Sequence, residues 1–292
     1  MFVGTYTALV TPFLNDQIDE AAFERLIESQ IEGGISGIVP VGTTGESPTL
    51  DHAEHARVVE LAVKFARKRC PVIAGTGSNS TAEAISLTRD AERAGADGIL
   101  VVAPYYNKPS QEGIFQHYRQ VAKASALPVI LYSIPGRCGV EIGVETVARL
   151  AAECPTIVAI KEAGGAVERV SQLRLALPEK FSILSGDDSL TLPFMSVGAN
   201  GVVSVASNLI PKQVGALVQA ASSGNYAEAL RLHLQLYTLF KDLFIEPNPA
   251  PIKTALAMAG MMRPDLRLPL CGMAEGTRQK LEHTLRSLKL VK

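Results

Sequence analysis

The sequence predicts an α/β fold, a (β/α)8 barrel followed by a C-terminal helical segment. Short β-branched runs recur eight times along the first two thirds of the chain, and segments with apolar residues at spacings of three and four lie between them. The runs begin roughly 20 to 34 residues apart, the length of one strand–helix unit. Eight such units are the number that closes a barrel of this kind.

The predicted strands are continuous apolar runs rather than alternating ones. Strands that are covered on both faces have this composition, so we expect a parallel sheet. The eight runs are VGTYTALV (3–10), GIVPVG (37–42), PVIAGTG (71–77), GILVVAP (98–104), LPVILYSI (127–134), TIVAIKEA (156–163), FSILSG (181–186) and NGVVSVAS (200–207).

Seven amphipathic segments between the runs predict the helices. Asp51 with Glu54 and Ser80 with Glu83 fit capping boxes at two helix starts, and Gly95 fits a helix end. The segments are FERLIESQIEGG (23–34), EHARVVELAVKFARK (54–68), AEAISLTRDAERAG (82–95), GIFQHYRQVAKAS (113–125), VETVARLAAE (144–153), AVERVSQLRLAL (166–177) and LTLPFMSVGA (190–199).

The chain divides by pattern into two parts. We expect the barrel to cover residues 1–210 and a helical appendage to cover residues 211–292, where only helical patterns occur. A doubly wound open sheet is the rival fold. Its dinucleotide fingerprint is nearly present at Gly75 and Gly77, but position 80 is serine where the third glycine belongs. A nucleotide site is therefore not expected.

Composition excludes several classes of function. The 292 residues are 47% hydrophobic and carry 28 basic against 29 acidic side chains, so the net charge of -1 leaves no surplus to hold nucleic acid or an anionic membrane surface. No apolar run approaches the roughly 18 residues of a membrane span, and the start of the chain lacks a signal-peptide pattern. We expect a cytoplasmic protein. The four cysteines are widely spaced and predict reduced thiols.

Lys161 is the strongest candidate for chemistry, because it ends an otherwise apolar strand. Strand alternation puts it on the same face as Ile157 and Ala159, while its neighbour Glu162 faces the other way. In a barrel, reacting groups come from the carboxyl ends of strands. An ordinary lysine with a pKa of about 10.4 is only about 0.04% free amine at pH 7, but burial lowers that pKa. A Schiff-base lysine is the functional interpretation; a buried ammonium paired with a carboxylate is the structural alternative.

Other strand ends bring polar groups to the same rim. Tyr132 ends strand five and Thr43 follows strand two, and their hydroxyls suit proton transfer in Schiff-base chemistry. Arg137 in the next loop suits a substrate carboxylate. Taken singly, each has a structural explanation, as a packed aromatic ring, a turn residue or a solvated loop charge.

Eight motifs lie between residue 41 and residue 253: VGTTGES, GTGSNST, PYYNKPSQEG, YSIPGRCG, AIKEA, LSGDD, GVVSV and LFIEPNPAPIK. Together, and in this order, they resemble the dihydrodipicolinate synthase family of pyruvate-dependent Schiff-base class I aldolases. The resemblance implies a (β/α)8 barrel with a C-terminal helical domain, and condensation of pyruvate with L-aspartate 4-semialdehyde in the diaminopimelate route to lysine.

The resemblance also implies roles for individual residues. Lys161 would form the imine with pyruvate, Arg137 would receive the carboxylate of the semialdehyde, and no metal or organic cofactor would be needed. The implied proton relay is Tyr132, Thr43 and Tyr106, and the implied pyruvate-binding groups are Thr44, the Val203 backbone and Gly186.

In the family, the residue matching Tyr106 reaches into the site of a neighbouring subunit. The resemblance therefore implies a homo-oligomer, usually a tetramer of two tight dimers. The loop of this chain departs from the commoner pattern at Ser133, Ile134 and Cys138. Cys138 replaces a threonine, which bears on the affinity for the second substrate more than on the type of reaction.

A further set of residues matches the positions at which lysine-inhibited members bind L-lysine. The set is Ser47, His52, His55, Asn79, Glu83 and Tyr105. Helix capping already explains part of it, because Glu83 is the predicted capping partner of Ser80. A glutamate and an asparagine nevertheless suit the ammonium and carboxylate of an amino acid, so we predict feedback by lysine.

Three other functions are weighed against the synthase. Another pyruvate lyase, such as N-acetylneuraminate lyase or a 2-keto-3-deoxy sugar acid aldolase or dehydratase, would share the lysine and the tyrosine but need a pocket for a polyhydroxylated chain. A non-catalytic keto-acid sensor on the same barrel would bind without turnover. A zinc-dependent aldolase would need a histidine cluster at the strand ends, which the five histidines do not form.

Overall fold

A computed structural model describes residues 2–291 of the chain. Eight strands form one sheet, and each run of residues that was predicted to be a strand contains one of them. The strands are β1 (Gly4–Ala8), β2 (Gly37–Val39), β3 (Ile73–Gly75), β4 (Gly98–Val102), β5 (Val129–Ser133), β6 (Ile157–Glu162), β7 (Ser182–Ser185) and β8 (Gly201–Ser204).

Helices alternate with these strands and continue beyond the last one. Those of five or more residues are α1 (Glu20–Glu32), α2 (His52–Ala66), α3 (Thr81–Ala94), α4 (Gln111–Lys123), α5 (Val144–Glu153), α6 (Val167–Ala176), α7 (Thr191–Met195), α8 (Pro211–Ser222), α9 (Tyr226–Asp242), α10 (Ala250–Met258) and α11 (Glu275–Ser287). A further helical turn, Pro135–Cys138, follows β5. Within residues 2–291, no helix is long and apolar enough to cross a membrane.

The sheet is parallel throughout and closes on itself. The strands pair in the order β2-β1-β8-β7-β6-β5-β4-β3. A parallel bridge between Ile38 and Val72 joins the two end strands, and the amide of Gly75 donates to the carbonyl of Pro40 at 3.0 Å. The predicted (β/α)8 barrel is confirmed.

Two apolar cores follow from this closure. The larger core lies between the sheet and the helices around it. The smaller one fills the barrel interior and takes side chains from all eight strands: Tyr6, Ala8, Val39, Ile73, Leu100, Ile130, Tyr132, Ala159, Leu184 and Val203. Strands that bury both faces cannot alternate polar and apolar residues, which is why the sequence shows continuous apolar runs.

The predicted alternation along β6 is wrong at one position. Ala159 faces the barrel interior, but Ile157 belongs to the outer core. The pairing with β5 shifts by one residue between Val129 and Ile130. An extra residue in one strand reverses the face of every residue before it, so simple parity fails there.

One of the two predicted capping boxes forms completely. Asp51 and Glu54 exchange both hydrogen bonds at the start of α2. Ser80 caps α3 by accepting from the Glu83 amide, but the Glu83 carboxylate bonds to Ser78 and His52 instead of the Ser80 amide. The prediction of a reciprocal box at Ser80 is therefore wrong, and this carboxylate is directed elsewhere. Gly95 ends α3 with φ +86°, as predicted.

The region after β7 differs from its predicted helix. The predicted helical segment 190–199 contains only the five-residue helix α7. Helix α8 packs against β1 and β8, as the eighth helix of a barrel does. We therefore propose that the boundary between the barrel and the helical appendage lies after residue 222 rather than at residue 210.

Gly201 generates a stability prediction, because it lies where β8 pairs with β1. Its φ is +150°, and a Cβ there would lie 1.9 Å from the carbonyl oxygen of Gly4. Gly201→Ala should lower the free energy of unfolding by roughly 3–5 kcal/mol, measured by denaturant unfolding. Gly276→Ala is the matched control. It lies in α11 with open space around it and should be neutral or slightly stabilising. Equal effects of the two would contradict this account.

Candidate active site

Lys161 lies at the carboxyl end of β6, inside the barrel. Its residue is 6% exposed, and its Nζ lies 4.1 Å from the ring centroid of Tyr132, the residue paired with it on β5. Burial lowers the pKa of Lys161 to about 7, partly opposed by the negative charge of Asp188 and assisted by the positive charge of Arg137. Much of this lysine is therefore free amine near neutral pH.

Glu162, the alternative partner considered for Lys161, is bound elsewhere. Its fully buried carboxylate accepts from Arg169 Nε at 2.8 Å and from the Gly164 amide at 2.6 Å. Burial raises the pKa of Glu162, and the neighbouring Arg169 opposes that rise. Arg169 also contacts Glu141 at 3.2 Å. The interpretation of Lys161 as an ammonium neutralised by Glu162 is therefore not supported.

Asp188 is a site residue that the sequence reasoning did not single out. It is buried and accepts hydrogen bonds from the Ser204 hydroxyl and from the amides of Val205 (2.9 Å) and Ala206 (3.0 Å). Burial raises the pKa of Asp188 to about 6, and these hydrogen bonds limit the rise. The carboxylate is thus mostly ionised at neutral pH and stabilises the ammonium form of Lys161. The available signal was the acidic pair that follows strand seven in LSGDD.

Tyr132 and Thr43 form the polar part of the barrel mouth. Burial raises the pKa of Tyr132 to about 12, partly offset by its interaction with the Thr43 hydroxyl. The phenol therefore stays protonated at neutral pH. Both residues line a small cavity of about 30 Å³ at the carboxyl end of the strands. A neutral phenol beside a hydroxyl can hand a proton to a reacting group and recover it.

Asn248 joins two of the predicted substrate-binding residues. Its side-chain amide donates to the hydroxyl of buried Thr44 at 3.0 Å, and its backbone carbonyl accepts from the Arg137 guanidinium at 3.3 Å. The sequence shows Asn248 only as one residue of the motif LFIEPNPAPIK, with nothing to single it out. The structure brings it from the C-terminal region to the barrel mouth.

Of the other two predicted pyruvate-binding residues, one lies inside the barrel and the other lies against the Lys161 side chain. Val203 is on β8, inside the barrel. Gly186 follows β7, and a Cβ on it would lie 3.1 Å from Lys161 Cε and 2.6 Å from the Ala163 Cβ. A side chain at position 186 would therefore displace Ala163 and press against the side chain of Lys161.

Tyr106 lies away from the site of its own chain. It is 89% exposed and has φ +71°. The structure thus places Tyr132 and Thr43 together and leaves the third predicted relay residue projecting from the surface.

A cavity of about 360 Å³ adjoins this site. Thr43, Arg137 and Cys138 line it, and five of the six predicted lysine-binding residues line it as well: Ser47, His52, His55, Glu83 and Tyr105. Asn79 is half-buried, does not line the cavity, and accepts from Asn107 Nδ2 through its carbonyl at 2.9 Å.

Glu83 presents its charge to this cavity. Its carboxylate bonds to Ser78 and to His52 Nε2, the latter at 2.8 Å, and these contacts lower its pKa. His55 bonds to the Gly75 carbonyl at 2.9 Å and leaves a buried Nδ1 without a partner among residues 2–291. Burial lowers the pKa of His55, so its ring is neutral at neutral pH.

The barrel, the desolvated lysine at its carboxyl end and the neighbouring hydroxyls define a class of protein, an enzyme equipped to form an imine with a carbonyl substrate. A model of the dihydrodipicolinate synthetase family matches residues 1–288. The chain belongs to this family.

Individual relatives agree with the family match. The 4-hydroxy-tetrahydrodipicolinate synthase of Syntrophus aciditrophicus strain SB is 52% identical over 291 residues, 100% of both chains. The structure of the 4-hydroxy-tetrahydrodipicolinate synthase from Methylacidiphilum fumariolicum SolV has a TM-score of 0.98 and 59% identity, over 99% of this chain and 96% of that one. A dihydrodipicolinate synthase from Cyanidioschyzon merolae, solved with lysine bound, has a TM-score of 0.96 and 43% identity, over 99% of each chain.

The lowered pKa of Lys161 predicts how imine formation depends on pH. Protonation removes the nucleophile, so the rate of borohydride-trapped imine formation with pyruvate should level off above pH 7 and fall about tenfold per pH unit below it. Asp188→Asn removes the charge that favours the ammonium form, so the fall in rate on the acid side should begin at a lower pH. Asp187→Asn is the matched control, since that carboxylate caps the turn Asp188–Leu190. If the rate in the native protein levelled off only above about pH 10, the assignment would be contradicted.

Proposed function

We propose that Lys161 forms the imine with pyruvate in a lyase that condenses pyruvate with L-aspartate 4-semialdehyde to give 4-hydroxy-tetrahydrodipicolinate. The reaction is that of the family, and it belongs to lysine and diaminopimelate biosynthesis. The observation that carries the residue assignment is a buried lysine whose pKa lies near 7, at the end of a barrel strand and over the ring of Tyr132. The predicted cytoplasmic location is supported by this biosynthetic role and stays a prediction.

The chemistry begins with attack of the Lys161 amine on the keto carbon of pyruvate. Loss of water gives the imine, which is protonated on nitrogen. Loss of a methyl proton then gives an enamine, as the nitrogen accepts the electron pair of the C=N double bond. The enamine carbon adds to the aldehyde carbon of the second substrate. The amine of that substrate finally displaces Lys161, so one water is released overall and the lysine is recovered.

Tyr132 and Thr43 are placed to carry the protons of these steps. The burial that raises the pKa of Tyr132 keeps its proton available for the departing water, and the adjacent Thr43 hydroxyl extends the path towards the cavity. Thr44, Val203 and Gly186 surround the position of pyruvate beside Lys161. Arg137, at the cavity wall, is the expected partner for the carboxylate of the semialdehyde.

The exposure of Tyr106 supports an oligomeric enzyme. A large aromatic side chain that is 89% exposed and held at positive φ contributes nothing to the fold of its own chain. In the proposed assembly, a dimer of tight dimers, Tyr106 enters the site of a second copy and completes the proton relay there.

The adjoining cavity supports feedback by L-lysine. Five predicted lysine-binding residues line it, and the Glu83 carboxylate suits the ammonium group of an amino acid. The relative from Cyanidioschyzon merolae was solved with lysine bound. The proposed inhibitor site adjoins the site of chemistry through Thr43.

The direct test is consumption of L-aspartate 4-semialdehyde by the purified protein in the presence of pyruvate, coupled to an NADPH-dependent reductase. Turnover above about 1 per second is expected of an enzyme of this kind. Absence of turnover with working controls would reject the synthase and leave the sugar acid lyases and the keto-acid sensor to be tested with their own ligands.

Two substitutions separate the roles proposed for Lys161 and Arg137. Lys161→Ala should abolish imine formation, because the one other buried lysine among residues 2–291, Lys253, is ion-paired with Glu46. Arg137→Ala should preserve the capacity for imine formation, with its pH profile moved to higher pH because the charge that helps lower the pKa of Lys161 is lost. It should lower kcat/KM for the semialdehyde by roughly 10²-fold, since a charge-assisted contact is lost. Borohydride trapping with pyruvate and steady-state kinetics measure the two effects. Equal loss of imine in both variants would contradict the assignment.

A third substitution tests the lysine site. Glu83→Gln removes the negative charge that faces the cavity, so inhibition by millimolar L-lysine should weaken by roughly tenfold or more. Glu92→Gln is a matched control, because Glu92 lies on the same helix and bonds to Ser125, outside the cavity. The proposal fails if lysine at millimolar concentration does not inhibit the native protein.

A further inference from the structure

The loop after β2 carries both threonines of the site and ends in a buried acid. Thr43 and Thr44 are followed by Glu46, whose backbone has φ +56° and whose side chain is fully buried. A non-glycine residue at positive φ persists only when its surroundings hold it. The contacts of Glu46 therefore decide where this loop sits.

Those contacts come from the C-terminal part of the chain. Lys253 in α10 is also fully buried, and its ammonium is ion-paired with Glu46. Lys253 Nζ donates to the Asp265 carbonyl at 2.9 Å and lies 4.2 Å from the centroid of the Phe13 ring. The other carboxylate oxygen of Glu46 accepts from the Arg267 amide at 3.1 Å. Both charges are thus satisfied without water.

Arg267 extends the same junction. Its guanidinium bonds to both oxygens of Glu54 at 2.6 Å and to the Thr49 carbonyl at 2.9 Å, just C-terminal to the loop. Asn248 adds the contact to Thr44 described above. The segment from residue 248 to residue 267 thus grips the loop at three points.

A buried ion pair of this kind is not explained by stability alone. Removing two charges from water costs several kcal/mol per ion, and well-packed apolar residues often serve as well or better. What an ion pair adds is a fixed geometry, since only one arrangement satisfies both partners. Burial lowers the pKa of Lys253 to about 8, and the nearby Glu46 carboxylate opposes this fall. Lys253 therefore stays mostly protonated at neutral pH.

We propose that Glu46 and Lys253 are positioning residues for the reaction, which fix the loop 42–47 so that Thr43 and Thr44 meet pyruvate in the correct place. This inference rests on the proposed function, because it assumes that pyruvate binds beside Lys161. Neither residue touches the reacting atoms. Their effect passes through the loop alone, while Lys161 stays in place on β6.

The test compares two variants with a matched control. Lys253→Met removes the cation, and the milder Glu46→Gln removes the anion but keeps its shape and acceptor oxygen. Thr284→Val is the control, because it removes a buried hydrogen bond of 2.7 Å to Asp242 within the C-terminal helices, away from the loop. Borohydride trapping of the imine over a range of pyruvate concentrations gives the half-saturating concentration and the maximal yield separately, and thermal unfolding gives Tm.

Both Glu46→Gln and Lys253→Met should raise the half-saturating pyruvate concentration by roughly tenfold or more, because misplaced binding groups act like lost contacts. The maximal yield should stay unchanged, since Lys161 is intact. Thr284→Val should lower Tm without moving the half-saturating concentration. If Lys253→Met does not fold, Glu46→Gln decides alone.

Two outcomes would contradict these proposals. A lower Tm with native pyruvate saturation in Glu46→Gln would make the pair purely structural and overturn the proposal. An imine that fails to form in the native protein would reject the proposed function itself, before any variant is compared.

Discussion

The closed barrel determines the chemistry of this protein, because closure is what removes Lys161 from water. Side chains from all eight strands fill the barrel interior, the bridge between Ile38 and Val72 completes the ring, and Lys161 is left 6% exposed. An open sheet would leave one face of β6 for solvent and return the pKa of Lys161 towards its ordinary value. Asp188 works against this desolvation, so the pKa near 7 is a balance between burial and one carboxylate.

The rest of the site is shared between distant parts of the chain. The loop after β2 supplies the hydroxyls, and a segment some two hundred residues later supplies the amide of Asn248 and the buried ammonium of Lys253. The helices beyond the barrel are therefore part of the wall of the site. This arrangement explains why Asn248 lies just before the apolar helix α10 and why Lys253 lies within it.

The sequence predicted the fold well because strands buried on both faces are continuous apolar runs. These runs recur at the length of one strand–helix unit, which can be recognised without tertiary information. Lys161 and Tyr132 were predictable for a related reason, since a polar residue at the end of an apolar strand is conspicuous. Asp188, Asn248 and Lys253 were not singled out, because their meaning depends on contacts between remote segments. The bulge that turns Ile157 outward was also invisible, as one extra residue in a strand has no signature of its own. Tyr106 stays a prediction, as its role concerns a second copy of the chain.

The shared wall of the 360 Å³ cavity has a consequence for engineering. Thr43, Glu83 and His52 all line this cavity, so a ligand held there would share a wall with the hydroxyl proposed for proton transfer. Under the proposed lysine feedback, changes at Ser47 or Thr43 would alter catalysis and the response to lysine together. The side chain of His52 is 71% exposed, so a search for variants that resist the proposed inhibition should begin at this residue. Its substitution leaves the hydroxyl path untouched.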